Sequence, residues 1–163
     1  MRALVRKATL DDVNSIAMIH QQAFIRQIES HQWIGSTLAA YPRFFCYVII
    51  ESEMIVGYIF WAQKSGFRTE VILELDQIAM HKDFQGLGLS KKFIVESLRD
   101  VQVHLTNTNQ SIKSILVTTG ADNFARKLYE NVLNAKEVAV ISGLYRSPEV
   151  YLKSTREDLV FLD

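Results

Sequence analysis

Cysteine is almost absent from this chain. Cys46 is the only one among 163 residues, so no intrachain disulfide can form. It lies in the apolar run Phe44–Ile50 and reads as a buried structural thiol, because a reactive thiol needs an electropositive, accessible setting. His20, His31, His81 and His104 are scattered without CxxC or HExxH spacing, so no metal site is expected. Net charge is missing too: 18 Lys and Arg balance 18 Asp and Glu. That balance removes any bulk electrostatic reason to expect nucleic acid or an anionic membrane as partner. No apolar run approaches the length of a membrane span, and Met1-Arg2-Ala3-Leu4-Val5-Arg6-Lys7 is too polar for a signal peptide. The cytoplasm is therefore the expected compartment. Repeats, low-complexity tracts and linkers are lacking, so a single domain over residues 1–163 is expected.

What is present is a regular alternation of periods. Leu4–Arg6 suits a short strand. Thr9, with Asp12 three residues on, suits a capping box ahead of a helix carrying Val13, Ile16, Ala17, His20 and Phe24 on one face. His20 on that face reads as a packed side chain. Trp33–Tyr41 predicts a second short helix ended by Pro42. Phe44–Ile50 and Met54–Gln63 predict a hairpin joined by Glu51-Ser52-Glu53, and Thr69–His81 a third, longer strand. Helices are expected from Gly86 to about Leu105 and over Asp122–Val132, the latter with Phe124, Ala125, Leu128 and Val132 inward. Strands are expected at Ile112–Thr118, Lys136–Ser142 and Val150–Thr155. The order β-α-α-β-β-β-α-β-α-β-β is a mixed α/β (α+β) arrangement with mostly antiparallel pairing.

Two features carry chemistry. In the strand Glu70–Met80, Glu74 and Asp76 share a face with Ile72 and Ile78. Unpaired burial of carboxylates is costly, so that face is either solvated or lines a cleft where acid is useful. Next comes Gln85-Gly86-Leu87-Gly88-Leu89-Ser90 at the start of a helix whose first turns hold Lys91 and Lys92 but no acid. Glycines allow close backbone approach, and free amides at a helix start bind phosphate. Lysines there oppose the helix dipole, and a bound pyrophosphate would reverse that penalty. The dinucleotide fingerprint needs a third glycine where Lys91 stands, which argues against it.

At this loop the sequence resembles the GNAT superfamily of N-acetyltransferases, over nearly the whole chain. The family hallmark, Gln or Arg, two residues, Gly, one residue, Gly or Ala, stands here as Gln85, Gly86-Leu87, Gly88, Leu89, with Ser90 in the last place. A second family motif fits at Ala125 and Tyr129-Glu130, with Asp122 at the usual asparagine and Asn123 one residue later. Glu149–Lys153 looks like the family's last strand. The resemblance implies a GNAT-type mixed, mostly antiparallel sheet flanked by helices, and acetyl-CoA as cosubstrate without a metal. Ile78, Ala79 and Met80 would pair with the pantetheine arm and help polarise the thioester. Gln85, Gly86, Leu87, Gly88, Leu89, Ser90 and Lys91 would hold the pyrophosphate, with Asn123 a further cofactor contact.

The resemblance further implies an N-acetyltransferase that moves an acetyl group to a primary amine by direct attack. Glu74 stands where some family members carry a glutamate base, with Asp76 or a water chain as the other choices. Tyr129 matches the tyrosine that protonates the departing thiolate. Residues 28–43, with Glu29, His31, Trp33, Tyr41 and Arg43, and the turn Gly143–Pro148 would flank the acceptor. That acceptor is a small molecule or a protein N-terminus or lysine. A catalytically silent CoA-binding regulator or scaffold is the alternative, and it would need neither Glu74 nor Tyr129. Oligomeric state is not readable here, and a homodimer stays open.

Overall fold

The computed structural model describes residues 2–163; Met1, the first residue of the polar opening, lies outside the described residues. Seven strands order as β1-β2-β3-β4-β5-β7-β6, with helices α1 and α2 between β1 and β2, α3 between β4 and β5, and α4 between β5 and β6. This is the element order that the sequence periods predict, and the sheet is mostly antiparallel. The chain forms two compact units. One runs to Ala62 and includes Gln77–Ser97, and the other is Gln63–Asp76 with Leu98–Asp163. Among the described residues, no helix is long and apolar enough to cross a membrane.

In the first unit, β1 (Leu4–Lys7) pairs antiparallel with β2 (Phe44–Glu51), and β2 with β3 (Met54–Lys64). Glu51 pairs with Met54, so the strand takes a residue expected in the turn. That leaves a two-residue loop, Ser52-Glu53, with both φ angles positive, as a tight hairpin with matching twist requires. The capping box forms as expected, but it opens a 3₁₀ turn, Leu10–Asp12, before α1 (Val13–Ala23). Arg6 locks it by donating to both Asp12 oxygens at 2.7 and 2.9 Å, while the Thr9 amide donates to Oδ2 at 2.8 Å.

The second helix, α2 (Ser30–Leu38), begins and ends three residues before the predicted span. His20 explains why it can start there. Its ring is fully buried, Nδ1 is 2.7 Å from Ser30 Oγ, and Nε2 is 2.7 Å from Gln27 Oε1. With Gln27 offering its oxygen, Nε2 carries the proton and the Ser30 hydroxyl donates to Nδ1. His20 thus pins the α1–α2 connection while packing on Phe24 at 5.2 Å. Ile16, Ile19, Ile34, Val48, Tyr58 and Phe60 form the core of this unit. Cys46 is half-buried rather than fully buried and lines a small cavity with Tyr41, Phe44 and Leu38.

In the second unit, β4 (Glu70–Met80) runs parallel to β5 (Ser111–Gly120) from Glu70↔Ser111 to Glu74↔Leu116. β5 pairs antiparallel with β7 (Glu149–Thr155), which pairs with β6 (Lys136–Ile141). Helix α3 (Leu89–Asn107) starts three residues after the predicted point, because Gly86 and Gly88 hold left-handed φ angles of 75° and 76° that no α-helix accepts. Its expected apolar face is correct: Ile94, Leu98, Val101 and Leu105 are fully buried. Helix α4 (Ala125–Leu133) is shorter than expected and buries Tyr129 and Leu133. Phe124, predicted inward, is 90% exposed because it precedes the helix and escapes its period.

The Arg6 guanidinium holds the Asp12 carboxyl below the usual carboxylate range, with the Thr9 amide helping. A depressed folded-state pKa gives stability that is present above the unfolded value and is lost as pH falls through the folded one. Asp12→Asn should therefore lower stability at neutral pH, and the difference from wild type should vanish in strong acid. Urea denaturation at a series of pH values checks this.

Candidate functional site

The glycine loop belongs to the first unit and is built to present backbone. Gln85 donates through Nε2 to the Met80 carbonyl at 3.1 Å, so this side chain braces the loop against the end of β4. At Gly86 and Gly88 a Cβ would meet nothing within 4 Å, so internal crowding does not demand glycine there. The positive φ angles do, and the space in front of both positions is open to a ligand. The first turn of α3 holds no acid; Leu89 is buried, Ser90 half-buried, and Leu87 and Lys91 exposed. Lys92, by contrast, pairs with Glu96 at 3.5 Å.

Upstream of the loop, Ala79 and Met80 are buried and Ile78 is half-buried, beyond the segment of β4 that pairs with β5. The backbone comes close here because of Gly57. A Cβ on Gly57 would lie 2.5 Å from Met80 Sδ and 3.0 Å from the Ala79 carbonyl. In the sequence Gly57 is an isolated glycine inside an apolar strand, and that isolation is the signal of a close backbone approach.

The second unit holds Glu74, Asp76 and Tyr129. On β4, Val71, Leu73 and Leu75 are buried, and alternation turns Glu74 and Asp76 to the other, half-buried face. Glu74 Oε2 is 2.7 Å from Lys64 Nζ. Burial pushes the Asp76 carboxyl up to about 6; Glu74 adds to the rise and Lys64 opposes it. Lys64 was not singled out in the sequence, since a lysine closing an apolar strand reads locally as a solvated end. Tyr129 is 6% exposed, and burial pushes its hydroxyl up to about 12, so it stays protonated through the neutral range.

Asn123 is exposed, and its Oδ1 accepts from the Ala125 amide at 2.9 Å, so it caps α4. The turn Gly143–Pro148 is tied to the end of β5. Pro148 accepts from the Ala121 amide at 2.9 Å, and a Cβ on Gly120 would lie 2.9 Å from Ser147 Oγ. In the first unit, His31 bonds Asn14 at 3.0 Å, while Trp33 and Tyr41 are exposed. Glu29 takes a left-handed φ ahead of α2. Among the described residues, no group of three or more His, Cys, Asp or Glu is placed to hold a metal ion.

Gly86→Ala and Gly88→Ala should each destabilise the free protein by roughly 1–2 kcal/mol, since an L residue is strained at these φ angles even in open space. Ala at Gly35, which has no neighbour within 4 Å and lies inside α2, should not destabilise. Chemical denaturation of the three variants separates conformation from crowding.

No family model matches the sequence, and no curated protein matches it. Solved structures do match in fold. An acetyltransferase of the GNAT family from Bacillus cereus is 17% identical, covers 95% of this chain and 98% of its own, and superposes with TM-score 0.69. Ard1 from Thermoplasma volcanium is also 17% identical, over 95% and 98%, with TM-score 0.74. Arabidopsis thaliana NAA60, in complex with a bisubstrate analogue, is 13% identical over 94% and 98%, with TM-score 0.77. NAA60 has also been solved in complex with acetyl-CoA. With near-complete coverage on both sides, the chain has the fold of the GNAT-family acetyltransferases.

Proposed function

We propose that this chain, as a single domain, is an acetyl-CoA-dependent N-acetyltransferase that acetylates a primary amine by direct attack on the thioester. The observation that carries the reading is the loop Gln85–Ser90: two left-handed glycines, open space in front of them, and a helix start without acid. Such a backbone suits a pyrophosphate, whose charge would be stabilised by the helix dipole and by Lys91. The fold match supports the choice of cosubstrate, since NAA60 has been solved with acetyl-CoA.

In this reading Gly86–Ser90 bind the pyrophosphate through backbone amides, with Asn123 a further contact. Ile78, Ala79 and Met80 offer backbone groups to the pantetheine arm, and an amide among them polarises the thioester carbonyl. A carboxylate of β4, Glu74 or Asp76, takes a proton from the incoming ammonium. Tyr129 gives its proton to the departing sulfur. Acid on this strand suits a cationic amine, whether a small molecule or a peptide terminus.

The test is thermal unfolding with and without CoA. At about 100 times Kd the stabilisation should be roughly 2.7 kcal/mol, several degrees in Tm for this size. No shift at millimolar CoA would sink the reading. Gly88→Val, if folded, should lose most of its CoA affinity; unchanged affinity would place the phosphates elsewhere. Tyr129→Phe should keep CoA affinity while kcat falls about 10²–10⁴-fold. CoA binding with no thiol released from acetyl-CoA in the presence of any amine would instead identify a silent CoA-binding module.

A further inference from the structure

The acid strand carries two carboxylates on one face, and the structure treats them differently. Lys64, at the end of β3, brings its ammonium to 2.7 Å from Glu74 Oε2, and the Glu74 side chain is only 16% exposed. At that distance the ammonium occupies a carboxylate oxygen of Glu74, so the lone pair facing it is committed to the ion pair and not offered to an incoming amine. Asp76 lies two residues along the same face. Among the described residues its carboxylate makes no hydrogen bond or ion pair, although the residue is half-buried. We infer that Lys64 fixes Glu74 as a paired anion and so leaves Asp76 as the carboxylate that takes the proton from the acceptor amine. The inference rests on the acetyl-transfer reading and assigns the roles within it: Asp76 the catalytic base, Glu74 and Lys64 positioning residues.

The electrostatics agree with the geometry. Burial raises the Asp76 carboxyl, Glu74 raises it further as a like charge, and Lys64 lowers it, leaving it at about 6. A base with that affinity is mostly ionised at neutral pH yet binds a proton more readily than an ordinary aspartate. Glu74 and Lys64 are the two charged groups that act on Asp76. Lys113 of β5 lies 4.0 Å from Glu70, and Lys153 of β7 acts on Asp158.

In the step itself, the Asp76 carboxylate takes one proton from the ammonium, leaving a neutral amine. The amine lone pair forms the C–N bond, and the C–S bond breaks with its electron pair on sulfur. The Tyr129 hydroxyl protonates that sulfur, and the second amine proton returns to the tyrosinate through water. Asp76 releases its proton to solvent, so the products are amide, CoA thiol and one proton.

The full chain can be tested first without any acceptor. In protein labelled with ¹³C at the aspartate carboxyl, one resonance should titrate near 6. It should be missing in Asp76→Asn, move to higher pH in Lys64→Met, and move to lower pH in Glu74→Gln. Lys64→Arg should restore the wild-type titration, which a merely structural role for the lysine would not require. Thiol release from acetyl-CoA is then followed against pH with tyramine, spermidine and short α-amino peptides as acceptors. Asp76→Asn should lose about 10²–10⁴-fold in kcat/KM. Lys64→Met and Glu74→Gln should stay active with the acid limb of the profile displaced in opposite directions.

If CoA stabilises the protein and thiol is released, but Asp76→Asn keeps wild-type kcat/KM while Glu74→Gln loses it, the assignment is overturned and the acetyl-transfer reading stands. An Asp76 resonance that ignores Lys64→Met removes the positioning role. If wild-type protein neither binds CoA nor releases thiol with any acceptor, the acetyl-transfer reading falls and takes this assignment with it.

Discussion

The alternation of β4 is the constraint from which the chemistry-bearing part of the molecule follows. Val71, Leu73 and Leu75 must be buried, and a strand offers no third direction, so Glu74 and Asp76 are driven to the opposite face together. Two carboxylates at alternate positions on one half-buried face repel each other and resist desolvation. The conflict is relieved by one cation, Lys64, which contacts only one of them. The asymmetry between the acids is therefore a packing consequence: the strand sets where both carboxylates stand, and a neighbouring strand decides which is neutralised.

A second constraint acts where β4 ends. A strand feeding a helix would normally reach helical φ and ψ at once, but Gly86 and Gly88 hold the chain in the left-handed region and delay α3 to Leu89. The delay leaves a run of backbone outside both the sheet and the helix ladder. Gln85 fixes that run to the Met80 carbonyl, and Gly57 lets Met80 sit close against β3. The loop is open in front and anchored behind, which is what a preorganised anion cradle needs on the proposed reading.

Much of this was legible in the sequence, and the reasons are local. The element order, the core face of α3 and the opposed faces of β4 follow from periods of 3.6 and 2 that tertiary packing did not override. The capping box at Thr9 and Asp12 was readable because both partners lie within one turn. Misreadings arose where geometry rather than pattern decides. Phe124 has the spacing of a core residue but sits before the helix that would turn it inward. Glu51 looks like turn and is strand, because two positive φ angles suffice for the hairpin. Of the candidate site, the glycines and the acidic face were visible as motifs. The Lys64–Glu74 pair was not, since its members lie on different strands with a turn between them. Nor was the bond from Ser30 to His20, whose meaning depends on where the α1–α2 connection folds.

Burial acts on two groups of the second unit in the same sense and with opposite chemical effect. For Asp76 a raised pKa makes a stronger base, still ionised at neutral pH. For Tyr129 a rise to about 12 makes a weaker acid, which on its face is unhelpful for a proton donor. On the proposed reading the two fit one reaction, because the group that Tyr129 would protonate is created inside the protein. A thiolate expelled into a desolvated setting is destabilised by the same burial that keeps the phenol neutral, so its proton affinity rises along with that of the tyrosine. What matters for transfer is the difference between the two affinities, which burial shared by donor and acceptor leaves nearly unchanged. The ammonium of that reading would have no such partner in burial, since it would arrive from water and lose its proton to a group already in place. The proposed reading therefore asks for a carboxylate more basic than an ordinary aspartate on that side, and a neutral, undissociated acid on the other.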